Sequence, residues 1–403
     1  MSPMRNTRTF WLALAGLIAS LGISASEITS LEIIPPTGPF NVGVSKHAIN
    51  FTNPNDPFAP GNVTTQYLAT VYYPTLESPP CSPSPYLHPK AAEIFEDYWG
   101  FVRGNFSNLT SSFLHWGAAP ASSDALNHST LIFGPGGLGP SVEFNTMLLS
   151  DLASKGYAVV GIDHLYEQPF AWFPNPDAPG GGGPTNPGKD VLGTDPHLDG
   201  IADQAYLDLH AAREREMLHV VEHGWPALVA AQGWPFATAS LGLLGHSFGG
   251  SVSLSVAAQT SRELVAAAIN MDGSIFGGVR DATKPALLLS SSFHIGGPDG
   301  DPSFDEFAER QTGWWRWLHF ETFGHLSFAD MAFFNEVGPN AISDFSKGTV
   351  EGARAVEITR VVVAAFFDRW VRGVGEDGGL FDRPEGVYEE VSLVSGGNGS
   401  LSL

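Results

Sequence analysis

The chain has 403 residues, 43% of them hydrophobic, and carries 20 basic against 42 acidic side chains, a net charge of −22. A hydrophobic fraction of that size over that length buries a large core, which excludes an intrinsically disordered chain. The acidic balance repels phosphate backbones, so nucleic acid is not expected as a partner.

Arg5 and Arg8 precede an apolar stretch, Phe10 to Leu21, and small residues follow around Ser24 and Ala25. This is the build of a secretory signal peptide over residues 1–25, with cleavage expected near Ala25, and the apolar stretch is short for a membrane span. Six N-x-S/T sequons, at Asn50, Asn62, Asn105, Asn108, Asn127 and Asn398, fit that route. A secreted, N-glycosylated, extracellular protein is expected. The lone Cys81 cannot form an internal disulfide, so the fold must stand on its core.

Residues 26–403 are expected to form one α/β domain. Leu31 to Val44 and Tyr67 to Pro74 read as opening strands edged by prolines. The stretch from Glu77 to Ser123 is irregular apart from a helical piece around Ala91 to Val102. From Thr130 strands and helices alternate: a strand to Phe133, a helix from Val142 to Lys155 and a strand from Tyr157 to Ile162. That alternation predicts a mostly parallel sheet with helices on its faces. Residues 165–200 interrupt it with a Pro/Gly-rich insert that has too little apolar patterning to be an element, a lid or a passive loop. A long helix is expected from Ala202 to Val221, ended by Gly224-Trp225-Pro226. Further strands are expected at Val265 to Met271, Ala286 to Ser291 and Trp317 to Phe320. A last helix spans about Thr349 to Val371, and the acidic tail after Gly373 reads as loop.

Between these elements, Leu241 to Leu244 runs as an apolar strand into Gly245-His246-Ser247-Phe248-Gly249, with small residues after it. This is the G-x-S-x-G nucleophile elbow, in which a strand reverses sharply into a helix and lifts a serine Oγ clear of the sheet. The glycines at 245 and 249 leave room for that reversal, and the helix start aims N–H groups at a developing oxyanion. Ser247 is the candidate nucleophile, His246 completes the elbow, and Phe248 offers an oxyanion N–H.

Two other motifs compete. Gly134-Pro135-Gly136-Gly137-Leu138-Gly139 satisfies G-x-G-x-x-G after a strand, with Asp163 ending the next strand, and would make the chain a dinucleotide-binding oxidoreductase. It lies more than a hundred residues into the chain, where such domains seldom place it. Beside an elbow, the same glycines instead offer the second oxyanion N–H, from Gly137 or Leu138. His219-Val220-Val221-Glu222-His223 matches H-x-x-E-H, a zinc-site pattern, but sits at an expected helix end, where the dipole already favours histidine. No metal and no cofactor are expected.

A serine nucleophile needs a histidine base and an acid to orient it, in the chain order Ser, acid, His. Downstream of Ser247 the histidines are His294, His319 and His325. His319 falls inside a strand, whereas His325 follows that strand in the loop F-G-H-L-S-F-A-D, so His325 is the base. Asp272 ends an apolar strand before Gly273, while Asp299 and Asp301 lie in the polar loop G-G-P-D-G-D, and both placements remain open for the acid.

Taken together, G-H-S-F-G-G, N-M-D-G and F-G-H-L-S-F-A-D resemble the plasma-type platelet-activating-factor acetylhydrolase family, also called group VII phospholipase A2. G-P-F-N-V-G at Gly38 to Gly43, V-Y-Y-P at Val71 to Pro74 and D-L-A-S-K-G-Y before Asp163-His164 extend the resemblance over about residues 33 to 372. The resemblance implies an α/β-hydrolase fold and a metal-independent serine esterase that removes short or oxidised sn-2 acyl chains from phospholipids, the 1-alkyl-2-acetylglycerophosphocholine esterase type. It places the nucleophile on Ser247, the acid on Asp272, the base on His325 and the oxyanion donors on Phe248 and the Leu138 region. The loop F-G-P-G-G-L-G is one glycine longer than that family's usual form, and the insert at 165–200 is peculiar to this chain. A secreted carboxylesterase, lipase or polyester hydrolase for neutral short-chain esters is the alternative, and a binding protein on a hydrolase scaffold a remote one. The indoles of Gly313-Trp314-Trp315-Arg316-Trp317 are a candidate for transient contact with a lipid surface.

Overall fold

A computed structural model describes residues 31–122, 128–139, 141–175, 183–184, 188–196, 202–294, 300–375 and 377–399. The expected signal segment, the sequon at Asn127 and the rival acid Asp299 lie outside the described residues. The strands are β1 (Asn41–Pro54), β2 (Val63–Thr75), β3 (Ser84–Pro85), β4 (Thr110–Ser111), β5 (Leu114–Trp116), β6 (Thr130–Gly134) and β7 (Ala158–Asp163). After them come β8 (Phe170–Phe173), β9 (Lys189–Leu192), β10 (Leu241–His246), β11 (Val265–Met271), β12 (Ala286–Ser291), β13 (Trp314–Phe320) and β14 (Val391–Asn398). The longer helices are α1 (Pro89–Tyr98), α2 (Thr146–Ser154), α3 (Asp203–His219), α4 (Trp225–Gln232), α5 (Phe248–Gln259) and α6 (Pro302–Arg310). Two single turns, α7 (Phe334–Val337) and α8 (Asp344–Lys347), lead to α9 (Gly352–Trp370).

Ten strands form one sheet in the order β14-β13-β12-β11-β10-β6-β7-β2-β1-β5. The block from β7 to β13 is parallel throughout, and β2 and β14 close it on either side as antiparallel neighbours. This is the α/β-hydrolase fold. Its strands read as continuous apolar runs because both faces are covered. Period-two alternation then divides each strand between two cores. Leu131, Phe133, Leu244, Ile269, Leu287 and Leu289 face the side packed by α2 and α9. Ile132, Leu243, Ala268 and Leu288 face the side packed by α5 and Met217 of α3. On α9, Ala355, Ile358, Val362, Val363, Phe366 and Phe367 recur at helical spacing and are fully or almost fully buried.

Several expectations are corrected. The opening strand begins at Asn41 and runs on to Pro54, rather than spanning Leu31 to Val44, because Pro35, Pro36 and Pro39 supply no N–H to a ladder. The region from Val142 enters as a 3-10 turn before α2 begins at Thr146. The insert holds an element after all: β8 and β9 pair antiparallel, Phe170 opposite Leu192, with Phe170 and Trp172 buried. The tail after Gly373 is not simply loop, since β14 pairs with β13 from Trp314 to Phe320. Nor does Gly224-Trp225-Pro226 stop the helix. A π turn over Val220–Gly224 carries it into α4, with Pro226 in the first turn of α4. The indoles of Trp314, Trp315 and Trp317 are 5%, 5% and 4% exposed, so they are core and not a lipid-facing patch.

Candidate active site

The parallel block fixes the site. Gly245 and His246 at the end of β10 pair with Asn270 and Met271 of β11, so Ser247 and Asp272 leave adjacent strands at the same edge of the sheet. The ladder continues one step beyond each strand: Ser247 N–H donates to Met271 O at 2.7 Å, and Asp272 N–H to Leu289 O at 2.8 Å. Ser247 sits at φ 55°, ψ −124°, a conformation L side chains rarely hold, and α5 starts at the next residue. A Cβ on Gly249 would lie 2.1 Å from Gly134 O, and one on Gly245 2.2 Å from the Gly249 carbonyl carbon, so neither position admits a side chain.

Ser247 Oγ donates to His325 Nε2 at 2.9 Å, and His325 Nδ1 donates to Asp272 Oδ2 at 2.8 Å. His325 reaches this position because β13 ends at Phe320 and the chain turns through Gly324 into a 3-10 turn, His325–Phe328. The Gly324 N–H donates to Ser327 Oγ at 3.0 Å, which pins that turn. The elbow residue His246 is buried and donates from Nε2 to His325 O at 2.7 Å. Burial, with the neighbouring His325 charge, pushes its imidazole down to about 3, so it stays neutral and serves as a strut.

Asp272 is fully buried and receives the Ser291 N–H and the Ser291 hydroxyl, each at 2.7 Å, in addition to His325. Burial works to raise this carboxyl, but the close approach of the His294 imidazole and the hydrogen bond from His325 outweigh it and hold the group well below the usual carboxylate range. His294 Nδ1 lies 3.3 Å from the same Oδ2, and its Nε2 lies 4.0 Å from Asp301. The competing acid is thus not at the imidazole of His325. Asp301 caps α6 through Ser303 N–H at 2.9 Å and accepts from the Ser274 hydroxyl. His319 packs at the sheet rim with Nδ1 3.1 Å from Ser290 Oγ.

The oxyanion loop lies over the elbow. Phe248 N–H begins α5, and no acceptor takes it among the described residues. The two alternatives for the second donor differ: Leu138, at φ 54°, donates its N–H to Glu167 Oε1 at 2.8 Å, while Gly137 lies against Phe248, where a Cβ would sit 3.1 Å from the Phe248 Cβ. The nucleotide reading of Gly134 to Gly139 does not fit. Asp163, whose carboxylate would meet a ribose, is buried, accepts the Val142 N–H at 2.8 Å and lies 3.4 Å from Lys46 Nζ. Asp272, His294 and His325 present ligand atoms within 4.8 Å of one another. A metal there would have to displace the Asp272–His325 hydrogen bond. In the H-x-x-E-H segment, His219 Nδ1 is hydrogen-bonded to the Tyr67 hydroxyl at 2.9 Å and the ring stacks on Phe51, so that pair is not preset for an ion.

Ser247 and His325 open into a cleft of about 470 Å³, walled by Tyr98, Trp99, Tyr206, Phe276 and Phe293. Among the described lining residues none is Lys or Arg. Sequence reasoning missed Glu167 and Arg213, because each acts through a partner distant in sequence; it counted His294 among the histidines without placing it beside Asp272, and it missed the aromatic wall, which four separate segments supply.

No family model matches the chain. It is 26% identical over 280 residues to a probable 1-alkyl-2-acetylglycerophosphocholine esterase of Arthroderma benhamiae, a match covering 66% of this chain and 65% of that relative's length. Among solved structures, a ferulic acid esterase from Streptomyces cinnamoneus superposes with a TM-score of 0.72 at 27% identity, over 91% of this chain and all of that one. The chain is similar to both, and the likeness to the esterase structure agrees with the α/β-hydrolase fold described above.

Proposed function

We propose that this α/β-hydrolase is a serine esterase, and that it cleaves carboxylic esters through an acyl-enzyme. The observation that carries the reading is the unbroken chain Ser247 Oγ to His325 Nε2, 2.9 Å, and His325 Nδ1 to Asp272 Oδ2, 2.8 Å. As the ester carbonyl enters the cleft, Ser247 Oγ attacks it and passes its proton to His325 Nε2. Asp272, ionised, holds His325 in the tautomer whose Nε2 accepts, and stabilises the imidazolium that forms. The tetrahedral oxyanion takes the Phe248 N–H and a second N–H from Gly137 or Leu138. His325 returns the proton to the departing alcohol, and a water activated by the same imidazole frees the acid.

The substrate class we propose is a short sn-2 acyl ester of platelet-activating-factor-like phospholipids, supported by the Arthroderma benhamiae relative. An aromatic wall suits a quaternary ammonium head group, which is attracted to ring faces without needing an acid. A second reading, short neutral or aryl esters, is favoured by the same wall, by the lack of Lys or Arg among the described lining residues and by the likeness to a ferulic acid esterase. Secretion and glycosylation are part of the proposal, supported by the build of residues 1–25 and the exposed sequons at Asn50 and Asn62.

The test is hydrolysis of a matched series, phosphatidylcholines and neutral glycerides with sn-2 chains from acetyl upwards, together with an aryl ester. Ser247→Ala is expected to lose activity by about 10⁴-fold or more. Phospholipid rates falling steeply with sn-2 length support the first reading. Equal or faster turnover of the neutral or aryl esters transfers the triad to the second. Full activity in a folded Ser247→Ala protein refutes both.

A further inference from the structure

Behind the oxyanion loop lies a buried ion pair that the triad itself does not use. Arg213 of α3 and Glu167, in the loop after β7, are each 1% exposed. Arg213 Nε donates to Glu167 Oε2 at 2.7 Å, and Nη2 donates to Oε1. The rest of the guanidinium grips the loop: Nη1 donates to Pro135 O at 2.6 Å and Nη2 to Gly136 O at 2.9 Å. Glu167 Oε1 completes the arrangement by accepting the Leu138 N–H at 2.8 Å. The guanidinium carbon lies 5.3 Å from the centre of the Phe248 ring, so Arg213 stands between the loop and the side chain of the residue that offers the other oxyanion N–H.

Resting on the esterase reading, we propose that Arg213 and Glu167 are positioning residues that set which N–H groups face the oxyanion, assigning Gly137 as the second donor and withdrawing Leu138. The peptide plane carries the argument. In a trans peptide the C=O of one residue and the N–H of the next point in opposite directions, and no cis peptide bond occurs among the described residues. Arg213 holds the Gly136 carbonyl toward the buried side, so the Gly137 N–H points away from Arg213. Gly137 and Leu138 both line the cleft that holds Ser247 and Phe248, so the direction of each N–H, and not the lining, decides between them. The Leu138 N–H is meanwhile held on a carboxylate, where an incoming oxyanion would have to displace it against charge repulsion. A fork is needed for this work. Arg213 meets a carboxylate and two carbonyls at once, through donors fixed in one plane, which a lysine ammonium does not offer.

The experiment uses the full chain, an activated acetate ester and its thionoester, in which sulfur replaces the carbonyl oxygen. Sulfur is a poorer acceptor, so the ester-to-thionoester rate ratio reports on the oxyanion hole rather than on general folding. Arg213→Lys and Arg213→Met, with melting temperature as the folding check, are expected to lower kcat by about 10- to 100-fold. KM should stay within about threefold and the rate ratio should fall toward one. Where these variants fail to fold, backbone esters decide: replacing Gly137 by glycolate removes its N–H and is expected to cost about 100-fold in kcat, while the hydroxy acid of leucine at 138 costs under fivefold. Folded Arg213 variants with unchanged kcat, a loss of kcat with an unaltered rate ratio, or a Leu138 backbone ester more damaging than the Gly137 one would each overturn the inference. The esterase reading fails separately, if Ser247→Ala still turns the ester over.

Discussion

The carboxyl of Asp272 shows how one residue's environment decides its role. Its burial would by itself favour the neutral acid, and only the two imidazoles and the Ser291 donors keep it charged. A carboxyl depressed in the folded state binds its proton less readily than in the unfolded chain. Its contribution to stability is therefore complete above the ordinary carboxylate pKa, near 4, and is lost as pH falls below that value. Asp272→Asn removes both functions. kcat near pH 7 should drop by about 10⁴-fold, because the amide no longer enforces the tautomer in which Nε2 accepts. The stability advantage of the wild type over this variant should shrink between about pH 5 and pH 3. Urea midpoints for the two proteins across that range provide the check, and a gap that does not change with pH contradicts the assignment of charge to Asp272.

At the scale of elements, legibility in the sequence followed burial. Strands buried on both faces, such as Leu241 to Leu244 and Ala286 to Leu289, read as apolar runs and stand where they were expected. The elbow was legible because its glycines are a steric necessity: Gly249 meets Gly134 O, and any side chain would push strand and helix apart. The triad segments were read from loop position and resemblance together, and the structure brings all three side chains within hydrogen-bonding distance. Strand β14 was illegible. Its residues Val391-Ser392-Leu393-Val394-Ser395-Gly396-Gly397-Asn398 are largely exposed or half exposed, and pairing comes from backbone groups on β13 rather than from a hydrophobic stripe. The Arg213–Glu167 pair was equally hidden, since 46 residues separate two charged side chains whose neighbourhood only the fold creates. The edge pairing has a testable consequence. Truncation after residue 383 removes β14, leaves the backbone of Trp314 to Phe320 as an open edge, and strips the partners of Arg316 at Gly397 and Asn398. The truncated chain is expected to melt several degrees lower and to aggregate on concentration, as light scattering would detect. A truncated protein as stable and monodisperse as the full chain would mean that β14 contributes nothing beyond cover.

For the whole molecule, charge is the property that distinguishes one substrate presentation from another. A net charge of −22 sets up a negative potential that reaches about one Debye length, roughly 8 Å at physiological ionic strength, and that repels an anionic interface. The indoles that seemed suited to a lipid surface are instead core, so no exposed aromatic cluster at that position offsets the repulsion. The cleft itself has an aromatic wall with no Lys or Arg among its described lining residues. Hydrolysis of a short-chain phospholipid should then depend on how it is presented. In zwitterionic vesicles, or as dispersed monomers, the rate is expected to change little with salt. In vesicles carrying about a third anionic lipid, it should be several-fold lower at 10 mM salt and recover as about 150 mM salt shortens the Debye length from roughly 30 Å to 8 Å. Initial rates on both vesicle types across that salt series measure the effect. Rates on anionic vesicles that match the zwitterionic ones at low salt would show that a local cationic or apolar face overrides the field of the whole protein.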